Sequence, residues 1–248
     1  MKIDFHYGVI KKLAELSGFS TIDSEIIAYA SQYVDEADEN IKMLINDLPD
    51  EIKKTSLYND RKFQLIRTAH KNLLQYFENI SFSEEHKWVY VSFHFIPDIF
   101  ILGNKDWIVT KNNDLALRLV NEAIDALKRS ECSAERCRAL IKFGISLHSY
   151  ADTWSHQNFS GINSNVNKVS EFKVKMNNDL YWKDQIIDDT LGQLIPIGHA
   201  GVGEYPDFIN AQMIYKKYNG VMSDVDDGYY KKRSQSNLEE FKQAAENI

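Results

Sequence analysis

Apolar residues recur at helical spacing along most of this chain. Ile3, Tyr7, Ile10, Leu13 and Leu16 fall three or four apart, which puts them on one face of a helix over residues 3–16. Gly18 is a natural stop. Ser20-Thr21-Ile22-Asp23 has capping-box spacing ahead of the run SEIIAYASQYV. Residues 113–129 (NDLALRLVNEAIDALKR) form the clearest amphipathic helix. Ser133 is a candidate cap for the next one, over 134–156, and residues 236–247 read as a short amphipathic helix. The run 60–78 also reads as helix. Two stretches break the pattern. Residues 88–102 (WVYVSFHFIPDIFIL) are aromatic and β-branched and are interrupted by Pro97, so they read as a short strand or an extended buried segment. Residues 158–183 are rich in Asn and Ser and read as an inserted loop. The chain has four prolines and no repeat or linker. The pattern therefore predicts a mostly α fold, a single multi-helix domain over residues 1–248. At most a short β segment is expected, near 88–96.

The helix over 134–156 carries the most informative motif. His148, Asp152 and His156 are each four apart, so a helix stacks them on one face. Imidazole, carboxylate and imidazole in a ladder can hold one metal ion, or share the carboxylate between two. Three polar residues on a solvated face would be the plain alternative. The neighbours Phe143, Ile145, Leu147, Tyr150 and Trp154 are apolar or aromatic, and a polar triplet in such surroundings needs partners.

Composition narrows the choice of chemistry. The chain has 248 residues and a formal net charge of −7, so bulk charge does not point to a nucleic-acid binder and no stable nucleic-acid complex is expected. No apolar run approaches the ~18 residues needed to span a bilayer. Asp4, His6, Lys11, Lys12 and Glu15 interrupt any signal-peptide core, so the cytoplasm is the expected compartment. Cys132 and Cys137 fit neither a zinc knuckle nor a disulfide framework.

Seven histidines are present: His6, His70, His86, His94, His148, His156 and His199. Any one alone reads as a core or surface residue. Burying several separately costs stability at each site, whereas converging them on a metal satisfies them jointly. A central metal-binding cleft follows. Among carboxylates, Asp35 follows Tyr33-Val34 at the end of the second helix and is the most inward of its acidic run; Asp98, Glu204 and Asp207 are further options.

An early histidine, an aspartate, a histidine, HxxxD on a long helix and then two more histidines: this order resembles the zinc-dependent phospholipase C and fungal single-strand nuclease superfamily. The fuller wording (DFHYGV, YASQYVDE, RTAH, FHFIPD, LHSYADTWSHQNFSG, GHAG, YPD) is similar to a bacterial family related to that group. The resemblance implies a mostly helical fold, two or three zinc ions (or other divalent transition metals) in a cleft, and phosphodiester hydrolysis. By position, His148 and Asp152 match the HxxxD pair, whose aspartate bridges metals. His156-Gln157 resembles a following His-Gln, His199 the next histidine, Asp35 the earlier aspartate and His6 the first-helix histidine. The intervening histidine is His94 or His70, with His94 favoured by its aromatic setting. The chain departs from the pattern in three places. Residue 1 is methionine where the secreted enzymes use an N-terminal tryptophan as a ligand. Gly203 stands where those proteins place an acid, with Glu204 and Asp207 beyond it. The spacing from Asp152 to His156 also differs.

The expected activity is a metal-dependent phosphoesterase that attacks phosphorus with a metal-activated water. Asp152 would bridge the metals, Asp35 would complete a shell, and Asp98 would orient the water. Phospholipid would suit an aromatic lip of Trp88, Tyr90 and Trp107, with transient membrane-surface contact. Nucleotide would suit YKKY at 215–218 and YYKKR at 229–233. The rival reading is a non-catalytic, metal-stabilised helical module that binds a partner. No His-Asp dipeptide, HExxH, Walker loop or GxSxG occurs, and SDVDDG at 223–228 lacks EF-hand spacing.

Overall fold

The computed structural model describes residues 1–39, 42–44, 53–54, 58–59, 62–69, 91–98, 107–177, 179–184, 197–218 and 230–248. A π-helical turn, Asp4–Val9, runs into α1, Ile10–Leu16. Helix α2 spans Thr21–Glu36, and Ser20 Oγ accepts the Asp23 amide at 3.1 Å, the cap implied by their spacing. The next helices are α3 (Val91–His94), α4 (Asp114–Arg129), α5 (Ser133–Ser155) and α6 (Asn237–Asn247). Asn113 caps α4 by accepting the Ala116 amide at 2.9 Å. Its own amide group donates to the Ile96 carbonyl at 3.0 Å, which ties α4 to the segment after α3. Helix α5 starts at Ser133 itself, with Cys132 in the cap position and no side-chain cap bond.

Helices α2, α4 and α6 pack on α5, and Ile10, Ile27, Val120, Leu140, Leu147, Trp154 and Phe241 fill the core between them. The α2–α5 contact is unusually close. A Cβ on Gly144 would lie 2.2 Å from the Ile27 carbonyl oxygen and 2.9 Å from Ala30 Cβ, so only glycine fits there. About two turns further along each helix stand Asp35 on α2 and Asp152 on α5.

The sheets overturn the mostly α expectation: the fold is mixed. A small antiparallel sheet joins β1 (Lys42–Leu44), β2 (Tyr58–Asn59) and β3 (Lys62–Gln64) in the order β1-β3-β2. A larger antiparallel sheet has the order β5-β4-β6-β7 and contains β4 (Val169–Met176), β5 (Lys183–Asp184), β6 (Ala211–Tyr218) and β7 (Tyr230–Ser236). The segment expected as an inserted loop over 158–183 thus holds β4 and the first residue of β5. Val169, Phe172 and Val174 point inward from β4 onto a second core with Phe95, Phe159, Met213 and Tyr215. The run 60–78, expected as helix, contains β3 and then irregular chain over 65–69; its remainder from 70 lies outside the described residues. The β segment expected near 88–96 is instead helical at Val91–His94. A short apolar run suits either a buried strand or a buried helix, and here tertiary packing decides. Among the described residues no helix is long and apolar enough to cross a membrane.

Candidate metal centre

Six elements bring eight donor groups together between the helical core and the larger sheet. The π turn supplies His6, α2 supplies Asp35 and α3 supplies His94. Helix α5 supplies His148 and Asp152 one turn apart, and His156 at its C-cap. His199 sits beside one short 3-10 turn and Asp207 within another, Tyr205–Asp207. These side chains form three groups with metal-binding proximity: His6, Asp35 and His148; His94, His148 and Asp152; His156, His199 and Asp207. His148 belongs to two of them.

The second group has the dimensions of a coordination shell. His148 Nε2 lies 3.2 Å from His94 Nδ1, and each of these nitrogens lies 3.3 Å from Asp152 Oδ2. Two donors at 2.0–2.1 Å from one tetrahedral zinc stand about 3.3 Å apart, so three edges of such a tetrahedron are matched. Asp35 lies just outside this trio, with Oδ1 3.7 Å from His94 Nδ1 and 3.8 Å from His148 Nε2, and it groups instead with His6 and His148. The other oxygen of Asp152 turns away from this group, 3.1 Å from His6 Nε2 and 2.6 Å from the Met1 amine. In the third group, Asp207 places Oδ1 3.1 Å from His156 Nε2 and Oδ2 3.4 Å from His199 Nε2. The Met1 amine is 3.0 Å from Asp207 Oδ1, so residue 1 lies between the two lobes of the cluster.

Backbone carbonyls fix the histidines from behind. A carbonyl only accepts, so a ring nitrogen bonded to one carries the proton. His94 Nε2 donates to the Thr68 carbonyl, His156 Nδ1 to the His94 carbonyl and His199 Nδ1 to the Gly203 carbonyl, each at 2.6 Å. In the neutral ring, the opposite nitrogen then aims a lone pair at the carboxylates. Ligating histidines are held in this way, with an outer hydrogen bond setting tautomer and ring plane. Thr68 also donates its hydroxyl to the Val34 carbonyl at 2.7 Å, which couples His94 to the end of α2 next to Asp35. Phe95 stacks on the His156 ring at a centroid distance of 4.4 Å. Gly198, at φ +55°, lets the following turn press on Phe95: a Cβ there would lie 2.7 Å from its Cζ. The glycine-rich turn beside His199 thus serves packing on Phe95.

A family model described as a family of unknown function (DUF6765) matches residues 1–248. The chain belongs to the DUF6765 family. No curated protein and no solved structure matches it.

Electrostatics follow from burying three carboxylates among five imidazoles. Burial alone would raise the Asp152 pKa, but the Met1 amine, His156, His148 and His6 outweigh it and hold the group well below the ordinary range. Asp207 is depressed in the same way by the amine, His199 and His156. Burial, joined by His148 and the Met1 amine, pulls His6 down to about 4. The Met1 amine itself is pulled down by burial but pushed up further by Asp152, Asp207 and Asp35, to about 11. Desolvation lowers His94, yet its hydrogen bond to Asp152 and the charge of Asp35 leave it raised. The cluster is built to hold positive charge at its centre.

Of the residues singled out in the sequence, His6, Asp35, His94, His148, Asp152, His156 and His199 all join the cluster. His94 stands in the cluster, and His70 lies outside the described residues. Asp98 belongs to none of the three groups and accepts the Thr110 hydroxyl at 2.8 Å. Between the two downstream acids, Asp207 joins the third group, and Glu204 bonds to Lys2 instead. Trp88 and Tyr90 lie outside the described residues, while Trp107 packs partly buried against the second core. Tyr215 is buried beneath the sheet, so it offers no stacking surface. Thr68 carries no sequence signal, because it acts through its backbone carbonyl.

Proposed function

We propose that this chain is a multinuclear metal-dependent phosphoesterase acting on a phosphodiester. The observation that carries the reading is the set of 3.2, 3.3 and 3.3 Å separations among His94 Nδ1, His148 Nε2 and Asp152 Oδ2, three donors that leave a fourth position open. Zinc, or another divalent transition ion, bound in these groups would supply a Lewis acid and an acidified water at neutral pH. Asp152, with Oδ2 toward His94 and His148 and Oδ1 toward His6, would join the groups to which those histidines belong. His94, His156 and His199 keep their lone pairs aimed inward through the bonds to Thr68, His94 and Gly203. Asp35, whose side chain remains 28% exposed, and His199, at 16%, form the accessible side of a cluster whose floor (His6, His148, Asp152) is closed to solvent. An accessible side is what separates a catalytic centre from a closed structural one. Asp35 would accept a proton from an attacking water there. Cys132 and Cys137 are free, exposed thiols, which suits a reducing compartment such as the cytoplasm.

The test is hydrolysis of bis-p-nitrophenyl phosphate by protein reconstituted with zinc or manganese, against the same protein treated with chelator. Metal-dependent turnover supports the proposal. Bound metal without turnover on any phosphodiester would leave the non-catalytic module as the reading.

A further inference from the structure

One ion pair beside the cluster takes no part in the chemistry above. Lys2 Nζ lies 3.0 Å from Glu204 Oε2, and the side chains are 40% and 69% exposed. The lysine ammonium also sits 5.7 Å above the centre of the Phe208 ring. Neither partner belongs to a metal group, yet both are anchored next to one. Glu204 begins the turn that delivers Asp207, whose amide donates to the Glu204 carbonyl at 3.0 Å. Lys2 follows the residue whose amine touches Asp207 and Asp152. Burial pulls the Lys2 ammonium down, but Glu204, and then Asp207 and Asp35, outweigh it and hold its pKa above the ordinary value. Asp35 lies on the accessible side of the cluster and Asp207 ends the turn that Glu204 begins, so the lysine charge stands beside the opening.

We infer that Lys2 is a specificity-determining residue that binds a second anionic group of the substrate, a phosphate or carboxylate beside the scissile phosphodiester. This rests on the phosphoesterase reading. An exposed ion pair contributes at most about 1 kcal/mol, so an incoming anion can displace Glu204 from the ammonium. Phosphate offers the lysine a stronger, charge-assisted acceptor than a solvated carboxylate does. Phe208 supports the lysine from below and limits where its head can point. Glu204 therefore acts as a placeholder that screens Lys2 until the substrate arrives, and a substrate without the extra charge leaves the pair in place.

Two measurements on the metal-loaded protein test this. The first compares thymidine 5′-(p-nitrophenyl phosphate) with its 3′-phosphorylated form. Lys2→Gln is expected to raise KM about tenfold for the phosphorylated substrate alone, with kcat on both and KM for the plain diester within twofold of wild type. Glu204→Gln is expected to shift KM for the phosphorylated substrate the opposite way, because the competitor is gone. The second is calorimetric binding of inorganic phosphate, which needs no turnover. Lys2→Gln should weaken it severalfold and Glu204→Gln strengthen it. Equal losses on both substrates, or phosphate binding unchanged in Lys2→Gln, would overturn the role of Lys2 and leave the phosphoesterase reading standing. Lys2-dependent phosphate binding without turnover of either ester would keep the anion site and remove the phosphoesterase.

Discussion

Replacing Gly144 by alanine tests whether the close crossing of α2 and α5 sets the site. The added Cβ would stand 2.2 Å from the Ile27 carbonyl oxygen and 2.9 Å from Ala30 Cβ. An ordinary carbon–oxygen contact is about 3.3 Å, so one helix must retreat by roughly 1 Å. The obstacle is backbone and cannot swing aside as a flexible side chain would. Overpacking of this kind costs about 3 kcal/mol. Alanine returns about 1 kcal/mol through its better helix propensity. The expected net loss is about 2 kcal/mol, or a Tm lower by roughly 4–8 °C for a chain of this size. The same shift would separate Asp35 from His94 and His148, now 3.7 and 3.8 Å away. Disturbing the groups that orient metal ligands costs about 10–100-fold in affinity, so apparent metal affinity should fall about tenfold. Gly8→Ala is the control. Gly8 is helical, has nothing within 4 Å of its would-be Cβ and has no positive φ, so alanine there should stabilise by up to about 1 kcal/mol. Thermal melts and zinc titrations of the two variants give the readout. A Gly144→Ala protein as stable as wild type, with unchanged metal affinity, would refute the claim that this crossing positions the site.

Three further outcomes are expected. Asp152→Ala removes the carboxylate that faces His6, His94, His148 and the Met1 amine, so metal content and hydrolysis should fall together; full metal retention in that variant would rule out the bridging role. Thr68→Val removes the hydroxyl bond to Val34 but keeps the carbonyl that His94 uses. It should cost about 1 kcal/mol in denaturant unfolding and weaken zinc binding less than Asp152→Ala does. In chelator-treated protein, His6 has a native pKa of about 4 against 6.5 for the free group. Its stabilising contribution is therefore complete above pH 6.5 and is lost as pH falls toward 4, because the unfolded chain takes up the proton first. The loss amounts to about 3 kcal/mol. Urea midpoints at pH 7 and pH 4.5 should show it, and a His6→Gln protein should lack that part of the slope.

The donor set was legible because it rests on spacing and residue type. His148 and Asp152 share a helix face wherever residues 148–152 are helical, and their apolar neighbours mark the helix as buried. Asp35 sits on a helix whose start is marked by the Ser20 cap, and His6 on one marked by its apolar spacing and the Gly18 stop. The sheet was hidden for a local reason. Strand β4 breaks its alternation at a register shift between Ser170 and Lys173, with Glu171 at φ +50°, so Val169 is out of phase with Phe172 and Val174. In β6, Ala211, Met213 and Tyr215 do alternate inward, but the adjacent lysines made the segment resemble a solvated surface. The choice between Glu204 and Asp207 depended on two short 3-10 turns, for which sequence carries little signal. Thr68 contributes a backbone carbonyl, which any residue could supply.

The most direct test of the metal centre is the metal content of protein purified without chelator or histidine tag, measured by inductively coupled plasma mass spectrometry. Two or more equivalents of zinc, manganese or iron per chain are expected from the three donor groups. A chain that holds no metal, even after reconstitution, would contradict the assignment of these histidines and aspartates as ligands, and the proposed activity with it.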